Sequence, residues 1–271
     1  MIRFLLATIM VVALHTSSWA GSQLPPRPMD ACANLAPYGF PQMNLPTGTP
    51  ICRLGYVLLH DNRALVAAWV TYTLTREQTL SCLPRVDAFE ADQSLPRGER
   101  AELAHYRRSG YDMGHLAPNA DLSWDVQVQR ESFLLSNMAP QLPGLNRGLW
   151  RELESIIRIW AYTHGPVTIY TGSIYDHTGP KLMNAVVIPQ AFYKIVINNQ
   201  TGETLAFLFP HQSNLGGEIS AVQTTVATIE SYTQIQFATP DDKTLQRPLW
   251  PINTRALNQA RASLCKKQLA P

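Results

Sequence analysis

Residues 109–121, reading Ser-Gly-Tyr-Asp-Met-Gly-His-Leu-Ala-Pro-Asn-Ala-Asp, constrain this chain more than any other stretch because of the residues spaced downstream of them. About twenty residues on come Ser136-Asn137-Met138-Ala139-Pro140-Gln141, then Asn146, Trp150, Leu153-Glu154 and Arg158. Leu149, Leu153, Ile156 and Trp160 fall at helical spacing, so residues 149–161 are expected to form an amphipathic helix that stops near Gly165. A histidine on an extended segment is thus followed by an asparagine that opens a long helix.

Further blocks keep a fixed order around this pair. Before it stand Ala68-Trp69-Val70-Thr71-Tyr72 with Leu74, and Pro84-Arg85 with Phe89 and Asp92; after it stand residues 170–175, 188–194 and 206–209. On these blocks the chain resembles the DNA/RNA non-specific endonuclease family over roughly residues 52–232. The resemblance implies an α+β fold with a ββα-metal finger carrying the active site. One position departs from the family pattern, which has arginine where this chain has Met113.

The chain opens with Met1-Ile2-Arg3 and an apolar run over residues 4–14, then reaches Ser18-Trp19-Ala20. This is the pattern of a secretory signal peptide, expected over residues 1–20 with Gly21 as the first mature residue. The run is well under the ~20 residues a spanning helix needs, and no later run is long enough, so no membrane association is expected after processing. Residues 21–50 read as an N-terminal extension and 51–271 as one endonuclease domain, since no low-complexity linker or repeat divides them. The four cysteines, Cys32, Cys52, Cys82 and Cys265, suit disulfides in an exported chain better than zinc, because no Cys-x-x-Cys pair or histidine cluster accompanies them. Of the three possible pairings, sequence order makes Cys32 with Cys52 and Cys82 with Cys265 the simplest. The expected location is secreted or periplasmic.

Charge bounds the partner. The 22 basic residues less Arg3 leave 21 against 20 acidic ones, so no broad basic face is available for nucleic acid. A nucleic-acid groove must be a local cluster, with Arg85, Arg97, Arg100, Arg107, Arg108, Arg147, Arg151 and Arg158 as candidates.

Residues 56–60 and 67–74 flank the turn-forming Asp61-Asn62 and read as a hairpin. Further strands are expected at 167–171, 185–188, 192–197 and 205–209, the last two joined by the turn Asn198-Asn199-Gln200-Thr201-Gly202. Helices are expected near 219–232 and 255–265. Together these suggest a central, largely antiparallel sheet flanked by helices, an α+β layout.

Phosphodiester hydrolysis needs an activated water, charge neutralisation at the phosphorane-like transition state and help for the leaving 3′ oxygen. His115 is assigned as the general base, since an unperturbed imidazole accepts a proton near neutral pH. Asp112 is expected to orient that ring or its loop. Asn146 is the matching position for the metal ligand: a hard cation such as Mg²⁺, or Mn²⁺, takes oxygen donors and keeps most of its waters. Asn146 would equally serve as a helix N-cap. Glu154 lies eight residues on, about two turns, and the resemblance gives it the water on the metal to orient. Arg158, at i+4 from Glu154, is either catalytic support or its ion-pair partner. Arg85 matches the family arginine that stabilises developing phosphate charge, and Asn137 matches a further polar residue of the site. Gly114 is expected to allow a backbone conformation that a side chain would obstruct. Trp69, Trp150 and Phe192 are expected in the core.

The function implied is exported, metal-dependent cleavage of DNA and RNA with little sequence preference, leaving 5′-phosphate ends, with an inhibitor or immunity protein as a further partner. Two alternatives remain. One is a catalytically impaired nucleic-acid-binding homologue with Met113 as the lesion, which the presence of His115, Asn146, Glu154 and Arg85 argues against. The other is a phosphodiesterase acting on small nucleotides, which a plasmid-nicking assay separates.

Overall fold

The computed structural model describes residues 23–268, so the expected leader lies outside the described residues. Seven antiparallel strands form one sheet: β1 Gly48–Cys52, β2 Val57–Asp61, β3 Val66–Leu74, β6 Val167–Ile174, β9 Ala191–Asn198, β10 Thr204–Pro210 and β11 Gln223–Thr224, in that spatial order. Two small hairpins stand apart, β4 Asp112–His115 with β5 Met138–Gln141, and β7 Lys181–Leu182 with β8 Val186–Val187. The helices are α1 Leu103–Tyr106, α2 Val126–Ser132, α3 Pro143–Leu145, α4 Arg151–Thr163, α5 Val226–Thr233 and α6 Thr254–Gln268. This is the α+β architecture the sequence suggested. Among the described residues no helix is long and apolar enough to cross a membrane.

Strands β6 and β9 are buried on both faces because each face has its own cover. Side chains alternate along a strand, so Phe192 and Val196 join Trp150, Leu153, Ile157 and Trp160 in one core cluster, whereas Tyr193, Ile195 and Ile197 join Val226, Ile229 and Phe237 in the other. Lys194 shares the parity of Phe192 and Val196, which puts it on the side of α4. Trp69, Trp150 and Phe192 are all core residues, at 3%, 0% and 1% exposure.

Both disulfides pair as sequence order suggested. Cys32–Cys52 ties the turn Met29–Leu35 to β1, and Cys82–Cys265 ties α6 to the loop after β3 across 183 residues. The N-terminal residues are part of the fold: β1 begins at Gly48, and Leu35 packs in the second core cluster, so the sheet starts before residue 51.

Two expectations need correction, and one strand was not expected. Residues 185–188 do not join the central sheet; Met183 and Asn184 take left-handed backbone angles (φ 46° and 56°) and fold β7 and β8 into a satellite hairpin. The helix expected over 219–232 is broken: Gln223 and Thr224 pair with β10 to finish the sheet, and α5 starts only at Val226, where the Thr225 hydroxyl accepts from the Thr228 amide. Strand β1 adds to the expected sheet. It carries Gly48 and Pro50, which mask its pattern, and proline is tolerated there because β1 is an edge strand.

Candidate active site

Strands β4 and β5 pair in register Asp112↔Gln141 to His115↔Met138, and the chain then turns through α3 into α4. Two strands and a helix thereby bring His115, Asn146 and Glu154 to one cavity of about 630 Å³. Gly114 is required for space and not for an unusual backbone angle: a Cβ there would lie 2.3 Å from Gln141 Oε1. A somewhat larger cavity of about 730 Å³ sits around Arg76, Tyr162 and Trp250 and contains none of the motif residues.

The His115 ring has aromatic walls, with Phe89 at 5.7 Å and Phe133 edge-on at 5.1 Å between centroids. Its Nε2 is buried and has no hydrogen-bond partner among the described residues. Burial, then the nearby positive charges of Arg85 and Lys194, push its pKa down to about 3, so the ring is a neutral acceptor at neutral pH. Arg85 is half exposed, stacks its guanidinium 5.1 Å over Phe133 and pairs with Asp87 at 2.6 Å. Asn137 is not at the cavity. It is fully buried, its Oδ1 accepting from the Ala117 amide at 3.0 Å and its Nδ2 donating to the Ala117 and Ser132 carbonyls at 2.9 Å. It holds the segment just after His115, so this further polar residue supports the histidine's backbone from behind and does not line the cavity.

On the helical side, Pro143 occupies the first turn and Leu142 the cap, so Asn146 is not an N-cap. It opens a π-helical turn, Asn146–Trp150, in which Gly148 leaves helical geometry (φ −101°, ψ −120°). Such turns recur at functional sites. The Asn146 Nδ2 donates to Asp112 Oδ2 at 2.8 Å, which leaves the lone pairs of its amide oxygen to face the cavity. Asp112 also takes Arg147 through two bonds of 2.9 and 2.6 Å, so it orients Asn146 and Arg147 and makes no contact with the His115 ring. Burial pushes Glu154 up to about 7; the charges of Lys194 and Arg158 oppose this and that of Asp121 adds to it. Arg158 is not an exposed partner of Glu154. Its Nη1 donates to the buried Asp121 at 2.7 Å, and Asp121 in turn accepts from the Tyr72 hydroxyl at 2.7 Å.

Five of the eight candidate arginines line the cavity: Arg85, Arg107, Arg147, Arg151 and Arg158. Arg100 does not; it is buried against Glu102 and the Leu95 carbonyl. A nearly neutral chain therefore concentrates positive charge at one place, beside a histidine and a carboxyl group. Met113 lines the same cavity while its flank packs on the core.

The family model for DNA/RNA non-specific endonucleases matches residues 34–243, well over half of the chain. The chain belongs to the DNA/RNA non-specific endonuclease family. Within it, mitochondrial endonuclease G of Bos taurus is 32% identical over 192 residues, 65% of this chain and 63% of its own length. The nuclease of Nostoc sp. is 31% identical over 194 residues, 67% of this chain and 70% of its own length. This chain spans about three fifths of the length of the endonuclease G relatives it matches. The crystal structure of the EndoG/EndoGI complex, which concerns the mechanism of EndoG inhibition, superposes with a TM-score of 0.68 at 28% identity, covering 79% of this chain and 94% of that one. Of the residues this family member brings to the site, Asp121 and Lys194 carry no sequence signal of their own. Both lie inside the ordered blocks, but only the fold turns them toward Arg158 and Glu154.

Proposed function

We propose that this protein is an exported, divalent-metal-dependent endonuclease that hydrolyses DNA and RNA with little sequence preference and leaves 5′-phosphate ends. The observation that carries the reading is that Arg85, His115, Asn146, Glu154 and Arg158, from three separated stretches of sequence, line one cavity. The neutral His115 ring takes a proton from water attacking the phosphorus. The negative charge of an incoming phosphodiester favours the imidazolium that results, against the pull of Arg85 and Lys194. Arg85 supplies planar, charged donors to the phosphate as charge develops on it.

The donor set suits a hard cation. Among the described residues no cluster of three or more His, Cys, Asp or Glu side chains is present, and the cavity offers oxygen: the Asn146 amide, fixed through its nitrogen by Asp112, and the Glu154 carboxyl. Asn146 would hold Mg²⁺ or Mn²⁺ with Glu154 beside it. When bound, such a cation supplies positive charge to the phosphate and to the departing 3′ oxygen. Contacts from the arginines of the cavity to phosphates, and not to base edges, would give weak sequence preference.

Export is supported by the apolar leader pattern and by two disulfides that an oxidising compartment would keep. An inhibitor protein that covers the cavity is the partner this reading suggests, and its support is the likeness to EndoG in the EndoG/EndoGI complex. The test is incubation of the mature protein with supercoiled plasmid and with RNA, with Mg²⁺ or with excess chelator. Cleavage of both only with metal is expected. Hydrolysis of small nucleotide diesters alone, or full activity in chelator, would overturn the reading.

A further inference from the structure

Lys194 is the one charged side chain on β9 and is fully buried. A lone ammonium in a core is costly unless its donors are used. Here Nζ donates to the Leu116 carbonyl at 3.0 Å and to Thr171 Oγ1, its cross-strand partner, at 3.2 Å, and it lies 4.2 Å over the Trp150 ring. That Trp150 ring reaches the adjacent peptide: its Nε1 donates to the His115 carbonyl at 3.4 Å, and the residue stands four before Glu154 along the same helical run. The carbonyls of two consecutive residues, His115 and Leu116, are therefore gripped from below by two side chains stacked on each other.

We propose that Lys194 and Trp150 form a positioning bracket that sets the His115 ring relative to Glu154, so that the base and the helical carboxyl keep one geometry through turnover. Neither side chain lines the cavity. The bracket acts through the backbone of His115 and through the charge it places beneath the site. The groups that face His115 are Arg85 and Lys194, and those that face Glu154 are Lys194, Asp121 and Arg158. The inference rests on the reading of His115 as the base.

Lys194→Met keeps the length of the stem and removes the charge and its donors; Trp150→Phe keeps a ring under the ammonium and removes the N–H. Plasmid cleavage at saturating Mg²⁺ is measured across pH for both, alongside His115→Ala, on protein shown by circular dichroism to be folded. For both variants kcat is expected to fall about ten- to a hundredfold, with KM changed by less than about twofold, as loss of reacting geometry does. In Lys194→Met the acidic limb of the profile is expected to move up by about one pH unit, because removing a positive charge favours protonated Glu154 and His115 alike. A purely structural role would lower the melting temperature and leave kcat and the limb of the folded protein unchanged, which overturns the proposal. If Lys194→Met does not fold, wild-type kcat in Trp150→Phe overturns it equally. Inactive His115→Ala beside a wild-type Lys194→Met sinks the bracket alone; His115→Ala retaining more than about a tenth of wild-type turnover sinks the base assignment and the bracket with it.

Discussion

At the scale of single residues, two positions make sharp claims. Glu154 sits with its carboxyl pushed up to about 7, so the folded protein carries it protonated in mildly acidic solution. Between its unfolded value of about 4.3 and about 7 the folded state binds the extra proton, so this group's contribution to stability declines as pH rises through that window. Turnover should run the other way, rising with pH through about 7, and added Mg²⁺ should shift the rise to lower pH because a cation favours the carboxylate. In Glu154→Gln the expected result is lower turnover with little change in substrate affinity, and an acidic limb unmoved by the substitution would remove Glu154 from the chemistry. Met113 makes the second claim. It lines the cavity where the family pattern has arginine, so Met113→Arg, made in the inactive His115→Ala background, should steepen the dependence of DNA binding on salt. One added phosphate contact changes the slope of log K against log salt by about −0.9. An unchanged slope would mean that position 113 does not meet phosphate.

At the scale of elements, the finger works because β4 and the π turn before α4 are joined by Asp112. Asp112 carries no substrate contact in this reading, yet it fixes which atom of Asn146 faces the cavity. Asn146→Ala is expected to raise the Mg²⁺ concentration for half-maximal rate, and Asp112→Ala to raise it in the same direction by a smaller factor. A titration of rate against Mg²⁺ in which Asp112→Ala matched wild type would detach the strand from the metal site. The elements also show where sequence reading stops. The spacing of Leu149, Leu153, Ile156 and Trp160 marks α4 well, because one apolar face against a sheet leaves a period in the chain. Strand β11 leaves none: its two residues are extended only because β10 offers an unpaired edge.

At the scale of the whole molecule, α6 is fastened to the loop after β3 by a bridge that spans 183 residues, and closing so long a loop removes much entropy from the unfolded chain, about 5 kcal/mol in the chain-entropy description. Denatured, non-reduced protein should titrate no free thiol, and reduction should lower the melting temperature steeply. Four reactive thiols in the unreduced protein would contradict the pairing. The charge of the molecule has the same global character: near neutrality overall, it places five arginines around one cavity. Three candidates drop out, among them Arg100, which the fold commits to an internal pair.

The sequence by itself pointed to the family, the antiparallel α+β layout and the disulfide partners suggested by order, and it singled out His115, Asn146, Glu154, Arg85, Arg158 and Asn137, of which all but Asn137 line one cavity. Those signals are local spacings and residue types, which survive without coordinates. Only the tertiary structure decided that Asn137 clamps the chain behind His115, that Asp112 serves Asn146, and that Arg158 answers to Asp121. It alone brought Lys194 under the site. Each of these is a pairing between side chains distant along the chain, and a pairing of that kind is set by how strands and helices stack: Lys194 meets the Leu116 carbonyl 78 residues away because the sheet face and the finger are pressed together by a shared core.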